Sequence, residues 1–116
     1  MQVAAGTIVF DADIEPFAGA TVYVRLEEVT RADAPSRVIA ETILRDVQVG
    51  GQGARELEFT IDMPMLDPRE RYVLRVHVDV DGDGRIGVGD YVSTGSYPVV
   101  PGAGASARSI QVKRVS

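Results

Sequence analysis

The chain has 116 residues, 45% of them hydrophobic and 25% charged, an ordinary composition for a single folded domain over 1–116. It holds no cysteine, so disulfides, thiolate zinc sites and thiol catalysis are excluded, and no lipidated cysteine is expected in this chain. A net charge of −5 without a basic patch argues against a nucleic-acid partner, and apolar runs of only a few residues are too short to span a bilayer.

The opening residues MQVAAG carry no charged leader and no long apolar stretch, so a signal peptide is not expected. Residues 3–10, VAAGTIVF, are β-branched and apolar and predict a first strand closing at Asp11-Ala12-Asp13. Residues 15–19, EPFAG, have the composition of a turn. Residues 20–29 then alternate, with Val22, Val24 and Leu26 on one face and Thr21, Tyr23, Arg25 and Glu27 on the other, which predicts a strand with one wet face. A polar loop over 30–36 is broken by Pro35, and a short strand follows over 38–44. Gly50, Gly51 and Gly53 make 45–54 read as a flexible connection.

Residues 56–61 alternate again, with Leu57, Phe59 and Ile61 inward. Pro64 and Pro68 oppose a regular element over 62–70, apart from one helical turn near Leu66-Asp67-Pro68-Arg69. The strongest strand signal is 72–80, where Tyr72, Leu74, Val76, Val78 and Val80 face one way and Val73, Arg75, His77 and Asp79 the other. A short strand at 91–94 should return antiparallel to it, a loop containing Pro98 and 101–105 follows, and 109–115 closes the domain. With no helical period in any long window, the fold class expected is all-β: a single-domain antiparallel β-sandwich of about seven short strands.

At the tip of the long hairpin lies DVDGDGRIGVGD, residues 79–90. Counted from Asp79, carboxylates fall at positions one, three, five and twelve, a glycine at six and an apolar residue at eight, the spacing of a calcium loop. Alternate side chains of a coiled loop turn inward, so Asp79, Asp81, Asp83 and Asp90 can offer hard oxygens to one cation. Gly84 permits the turn that brings the Arg85 carbonyl round as a further ligand, and water would serve near Gly87. Asp90 stands where glutamate is usual, so magnesium is a competitor for calcium. The flanks read as strands, which opposes a helix–loop–helix sensor. Setting these four aspartates and Arg85 aside leaves 13 acidic against 11 basic residues, so the acidity is largely that of the loop.

Three stretches resemble the YbaY and YscW family of small bacterial lipoproteins: ATVYVRLEEVTRADAPSRVIAE over 20–41, DPRERYVLR over 67–75 and SYPV over 96–99. To that pattern the chain adds the aspartate loop. The resemblance implies a small β-sandwich, a periplasmic or outer-membrane setting and no enzyme activity. For the YscW branch it implies a pilot or chaperone role toward a secretin of type III secretion.

Other chemistry finds little support. His77 is the sole histidine and reads as a surface or half-buried residue rather than a ligand or base. Ser93, Thr94 and Ser96 lack a nucleophile-elbow pattern, Glu27 and Glu28 point to opposite faces, and carboxylates among the loop glycines would repel a phosphate. The seven aromatic residues read mainly as core or sheet-edge packing. Two functional expectations follow. The first is a non-enzymatic module whose hairpin is fastened by calcium, the ordered tip presenting a surface to a protein partner. The second is a pilot or chaperone that grips an extended segment or helix of another protein, with the acidic loop incidental. An enzyme using a metal-bound water is disfavoured, because the loop leaves little open coordination and no acid–base partner is evident.

Overall fold

The computed structural model describes residues 2–11, 14–30, 33–50, 55–95, 97–99 and 109–116. The loop expected over 101–105, Gly51 and Gly53, Ala12 and Asp13, Arg31 and Ala32, and Ser96 lie outside the described residues.

Among the described residues eight strands follow one another: β1 (Gln2–Val9), β2 (Phe17–Glu28), β3 (Arg37–Val49), β4 (Glu56–Met63), β5 (Tyr72–Asp79), β6 (Tyr91–Ser93), β7 (Pro98–Val99) and β8 (Ser109–Arg114). The all-β expectation holds, and among the described residues there is no helix. Residues 68–70 form a turn in place of the expected helical one, with Glu70 N–H donating to Asp67 O at 3.0 Å and Asp67 Oδ1 accepting from Arg69 N–H.

Side-chain alternation explains which residues meet in the core. On β2, Ala20, Val22, Val24 and Leu26 are all fully buried. They face Ile8 and Phe10 of the first strand's run, Phe59, Ile61 and Met63 of β4, Leu74, Val76 and Val78 of β5, and Ile110 and Val112 of β8 in a single apolar cluster. Burying a side chain of this size stabilises the fold by about 1.5–3 kcal/mol relative to exposing it.

The strands pair in the order β3-β2-β5-β6-β8-β1-β4, with β7 added beside β5. Two layers are thereby joined through β6 and β8 into one sheet that curls around the core and almost closes, since β3 and β4, its two ends, come within a side-chain hydrogen bond. One pairing departs from the antiparallel expectation: β8 runs parallel to β1, with Ile8 opposite Ile110. Two connections turn out longer in strand than expected. Phe17 already pairs with Val49, because a strand can begin directly after Pro16 where no ladder N–H is needed, and that pairing draws β3 out to Val49. Pro98, expected in a loop, pairs opposite Val73 at the margin of the sheet, a position proline tolerates.

Candidate functional site

β5 is the strand that positions the site. Its core face, Tyr72, Leu74, Val76 and Val78, is buried as the alternation requires, but His77 and Asp79 on the opposite face are buried too. The cover comes from the chain beyond Asp79. β6 returns antiparallel, with His77 opposite Val92 and Val78 opposite Tyr91, so the intervening segment is a hairpin tip, and its last residue, Asp90, reaches His77 with its carboxylate. The expected hairpin is therefore present.

The tip is organised by its own carboxylates. Asp79 is 1% exposed; its Oδ1 accepts from Gly82 N–H at 3.1 Å and its Oδ2 from Gly84 N–H at 2.8 Å. Both glycines have φ of +77°, the left-handed region where a side chain would be strained, so glycine is needed for the two N–H groups to turn toward the carboxylate. Asp81 Oδ1 accepts from Asp83 N–H at 3.4 Å, and Asp83 Oδ1 from Arg85 N–H at 2.9 Å. These two aspartates and Arg85 face solvent. At the far end Asp90 is fully buried, with Oδ1 accepting from Val80 N–H at 3.0 Å and Oδ2 from Gly87 N–H at 3.2 Å. The last residues of the chain hold that end in place: Val115 N–H donates to Asp90 O, and Gly89 N–H to Val115 O.

The fold thus brings Asp79, Asp81, Asp83 and Asp90 together, with one carboxylate oxygen from each lying within 4.8 Å of the others. An all-oxygen donor set of this kind fits a hard cation such as calcium or magnesium. Asp90 is the constrained member. Its Oδ2 already serves Gly87 and the ring of His77, which leaves Oδ1 as the freer oxygen and works against a two-oxygen grip from position twelve. The apolar residues of the tip do not turn inward: Ile86 is 62% exposed and Val88 75%.

His77 is the residue that sequence reasoning misplaced. It is 6% exposed, its Nε2 lies 2.9 Å from Asp90 Oδ2, and its ring stacks on Tyr23 with centroids 5.7 Å apart and an interplanar angle of 17°. Arg25 in turn lies over the other partner of that stack, 5.0 Å from the Tyr23 centroid, and is held by Glu41 at 2.6 Å. The available signal was the spacing: His77 and Asp79 are two residues apart on one strand face, immediately before the loop, so whatever covers Asp79 also covers His77. Burial pushes the Asp90 carboxyl up, but hydrogen bonds from His77, Val80 and Gly87 outweigh it and hold the carboxyl below the usual aspartate range. Beneath this end of the hairpin Phe10, Phe17 and Tyr91 form an aromatic group, with centroids 5.4–5.9 Å apart. Among the described residues every buried side-chain polar atom is hydrogen-bonded.

The family model described as type III secretion system lipoprotein chaperone, YscW, matches residues 1–112. The chain belongs to the YscW family. Among solved structures it is similar to an alternative pilotin from the type II secretion system of Vibrio cholerae, with 23% identity over 98% of both chains and a TM-score of 0.71. At that identity the likeness shows a shared fold. No curated protein matches the chain. Neither description names a metal, so the metal reading rests on this chain's own residues. Among the described residues no helix is long and apolar enough to cross a membrane.

Proposed function

We propose that this YscW-family chain is a non-enzymatic, protein-binding module of a secretion system, a pilot or chaperone for a secretin-type partner in the bacterial envelope. The observation that carries the reading is the family match across 1–112, and the pilotin fold of its structural neighbour agrees with it. Of the two functional expectations, the comparisons favour the pilot or chaperone. The sheet also offers what such a role needs away from residues 79–90, namely strand edges paired on one side only. The direct test is to titrate the protein with overlapping peptides spanning the secretin of the same bacterium and with the folded secretin itself. One contiguous segment should bind with a Kd in the micromolar range or below, about −8 kcal/mol or better. Absence of binding by every peptide and by the intact secretin would remove this reading.

A second reading concerns the loop alone: calcium held by Asp79, Asp81, Asp83 and Asp90 with the Arg85 carbonyl, fastening the hairpin. The gathering of four carboxylates within 4.8 Å supports it, because that many like charges repel one another unless a cation intervenes. Affinity comparable to extracellular modules would be weak, about 10⁻⁴ to 10⁻³ M. At ~100 Kd a ligand specific to the folded state contributes about 2.7 kcal/mol, several degrees in Tm. Thermal unfolding in chelator, calcium and magnesium measures this. Asp81→Ala and Asp83→Ala replace exposed side chains and should cost no more than about 0.5 kcal/mol in chelator, yet remove the calcium increment. An increment that survives both substitutions would refute this ligand set.

A further inference from the structure

The sheet lacks one pairing for closure, and the place where it stays open has a definite chemistry. Among the described residues β3 pairs only with β2, and β4 only with β1. Where the two ends come alongside, the link recorded among the described residues is Thr42 Oγ1 donating to Thr60 O at 2.9 Å. No backbone hydrogen bond joins the two strands among the described residues, so the N–H and C=O groups on the outer edge of β4 are without a ladder partner. Beside the Thr42 contact opens a cleft of about 480 Å³, with Ala5, Thr7, Glu58 and Thr60 on one side and Thr42 and Leu44 on the other.

The outward residues of β4 are Glu56, Glu58, Thr60 and Asp62, all exposed. None of these three carboxylates has an ion-pair partner among the described residues. Their neighbours across on β1 are Val9, Thr7, Ala5 and Val3, none of them charged. The free edge therefore carries uncompensated negative charge at Glu56, Glu58 and Asp62, the first two about 7 Å apart and the last about 13 Å beyond Glu58, with Thr60 between. Such a row bars two copies of this edge from pairing, because antiparallel β4 strands would set carboxylate against carboxylate. It equally disfavours an acidic segment. An extended chain with lysine or arginine at every second residue meets both requirements of the edge: its backbone completes the β4 ladder, and its basic side chains stand opposite the carboxylates. Its intervening side chains would turn toward the seam, where Leu44 and Phe59 line the cleft.

We propose that the unpaired edge of β4 is the docking site for an extended, alternately basic segment of a protein partner, which parts β3 from β4 at the Thr42 bond and is added to β4 as a further strand. This rests on the protein-binding reading above and names the partner chemistry it would select. The test uses the whole protein, labelled with ¹⁵N, and an acetylated heptapeptide of alternating lysine and valine. Binding should shift the amides of 56–62 and 42–44, and it should weaken by about tenfold or more in the Glu56→Lys, Glu58→Lys double variant, since two attractive cross-strand pairs become repulsive. A heptapeptide N-methylated at alternate amides, which keeps its charge but cannot extend a ladder, should bind at least as poorly. Undiminished binding to the charge-reversed protein, undiminished binding of the N-methylated peptide, or no binding at low salt would each overturn the proposal. Two further results separate it from the secretin reading. A secretin segment that binds the wild-type and charge-reversed proteins equally would overturn the edge as the docking site while leaving the protein-binding role standing. Edge-specific binding of the heptapeptide without binding by any secretin segment would support the site and count against a secretin as the partner.

Discussion

Replacing Asp90 with alanine should lower the stability of the folded chain, measured in chelator, by about 3–5 kcal/mol, because three donors lose a buried carboxylate acceptor and each one left unsatisfied costs about 1–3 kcal/mol. Asp90 is fully buried and receives His77 Nε2, Val80 N–H and Gly87 N–H. Alanine would leave a buried imidazole and two N–H groups without their acceptor, and it would release the end of the hairpin from the strand it covers. Against a total stability of about 5–15 kcal/mol for a domain of this kind, such a loss removes a large fraction. With a urea slope of about 1–3 kcal/mol/M the unfolding midpoint should fall by roughly 2 M. Asp90→Asn should lie between wild type and alanine, because one carbonyl oxygen can still serve Val80 while the amide group opposes Gly87 N–H. An unchanged midpoint for Asp90→Ala would show that the tip is not anchored through this residue.

The same carboxyl sets an acid limb. Because its folded value lies below the ordinary one, Asp90 contributes stability that is fully present above about pH 4 and is lost as pH falls through the lowered folded value. In chelator, the wild-type stability curve should therefore drop more steeply on acidification than that of Asp90→Ala, which has already lost the contribution.

How far the sequence reveals the molecule depends on whether the signal is local. Alternation on β2 and β5 identified Val22, Val24, Leu26, Leu74, Val76 and Val78 as core, since a period of two needs no knowledge of partners. Strand ends at Phe17 and Val49 were not legible, because each is a strand only by virtue of the other across the ladder. The parallel pairing of β1 with β8 joins the two ends of the chain and leaves no trace in either segment alone. Within the site, the spacing of Asp79, Asp81, Asp83 and Asp90 predicted that they converge, and they do. The burial of His77 was signalled only by its spacing to Asp79, for a different reason. Alternation places it correctly on the polar face of β5, but whether that face is wet depends on Asp90, a side chain brought to it from the far end of the loop. The unpaired edges of β3 and β4 escape sequence reading for the same reason: an edge is defined by the absence of a neighbour.

These distinctions separate the scaffold from its two peripheral features. The acidic tip sits at the end of β5 where β6 returns, and the open edge lies on β4, the far end of the pairing path. On the two proposed readings, a partner on the edge and a cation at the tip would bind independently of each other. The core that both share is a matter of packing, and it should respond to substitution in a way that neither feature does.

Leu26→Ala makes that difference measurable. Leu26 is fully buried, opposite Leu74 on β5 and Ala40 on β3, and its loss should cost about 2–5 kcal/mol through forfeited burial and the cavity left behind. The perturbed position on β5 is three residues from His77, roughly 10 Å along the strand, and Leu26 faces the core whereas His77 faces the hairpin tip. Substitutions so separated should add within about 0.5 kcal/mol, so the double variant with Asp90→Ala should lose about 5–10 kcal/mol, enough to unfold a domain in the lower part of the usual stability range. A ligand that binds only the folded state adds the same RT ln(1 + [L]/Kd) to a weakened core as to an intact one. If the proposed calcium site exists, Leu26→Ala should therefore keep the full wild-type calcium increment in urea unfolding while its chelator baseline falls, and Asp90→Ala should lose both baseline and increment. If the increment shrinks in Leu26→Ala as well, core packing and the loop are coupled, and the calcium effect cannot be assigned to the four aspartates alone.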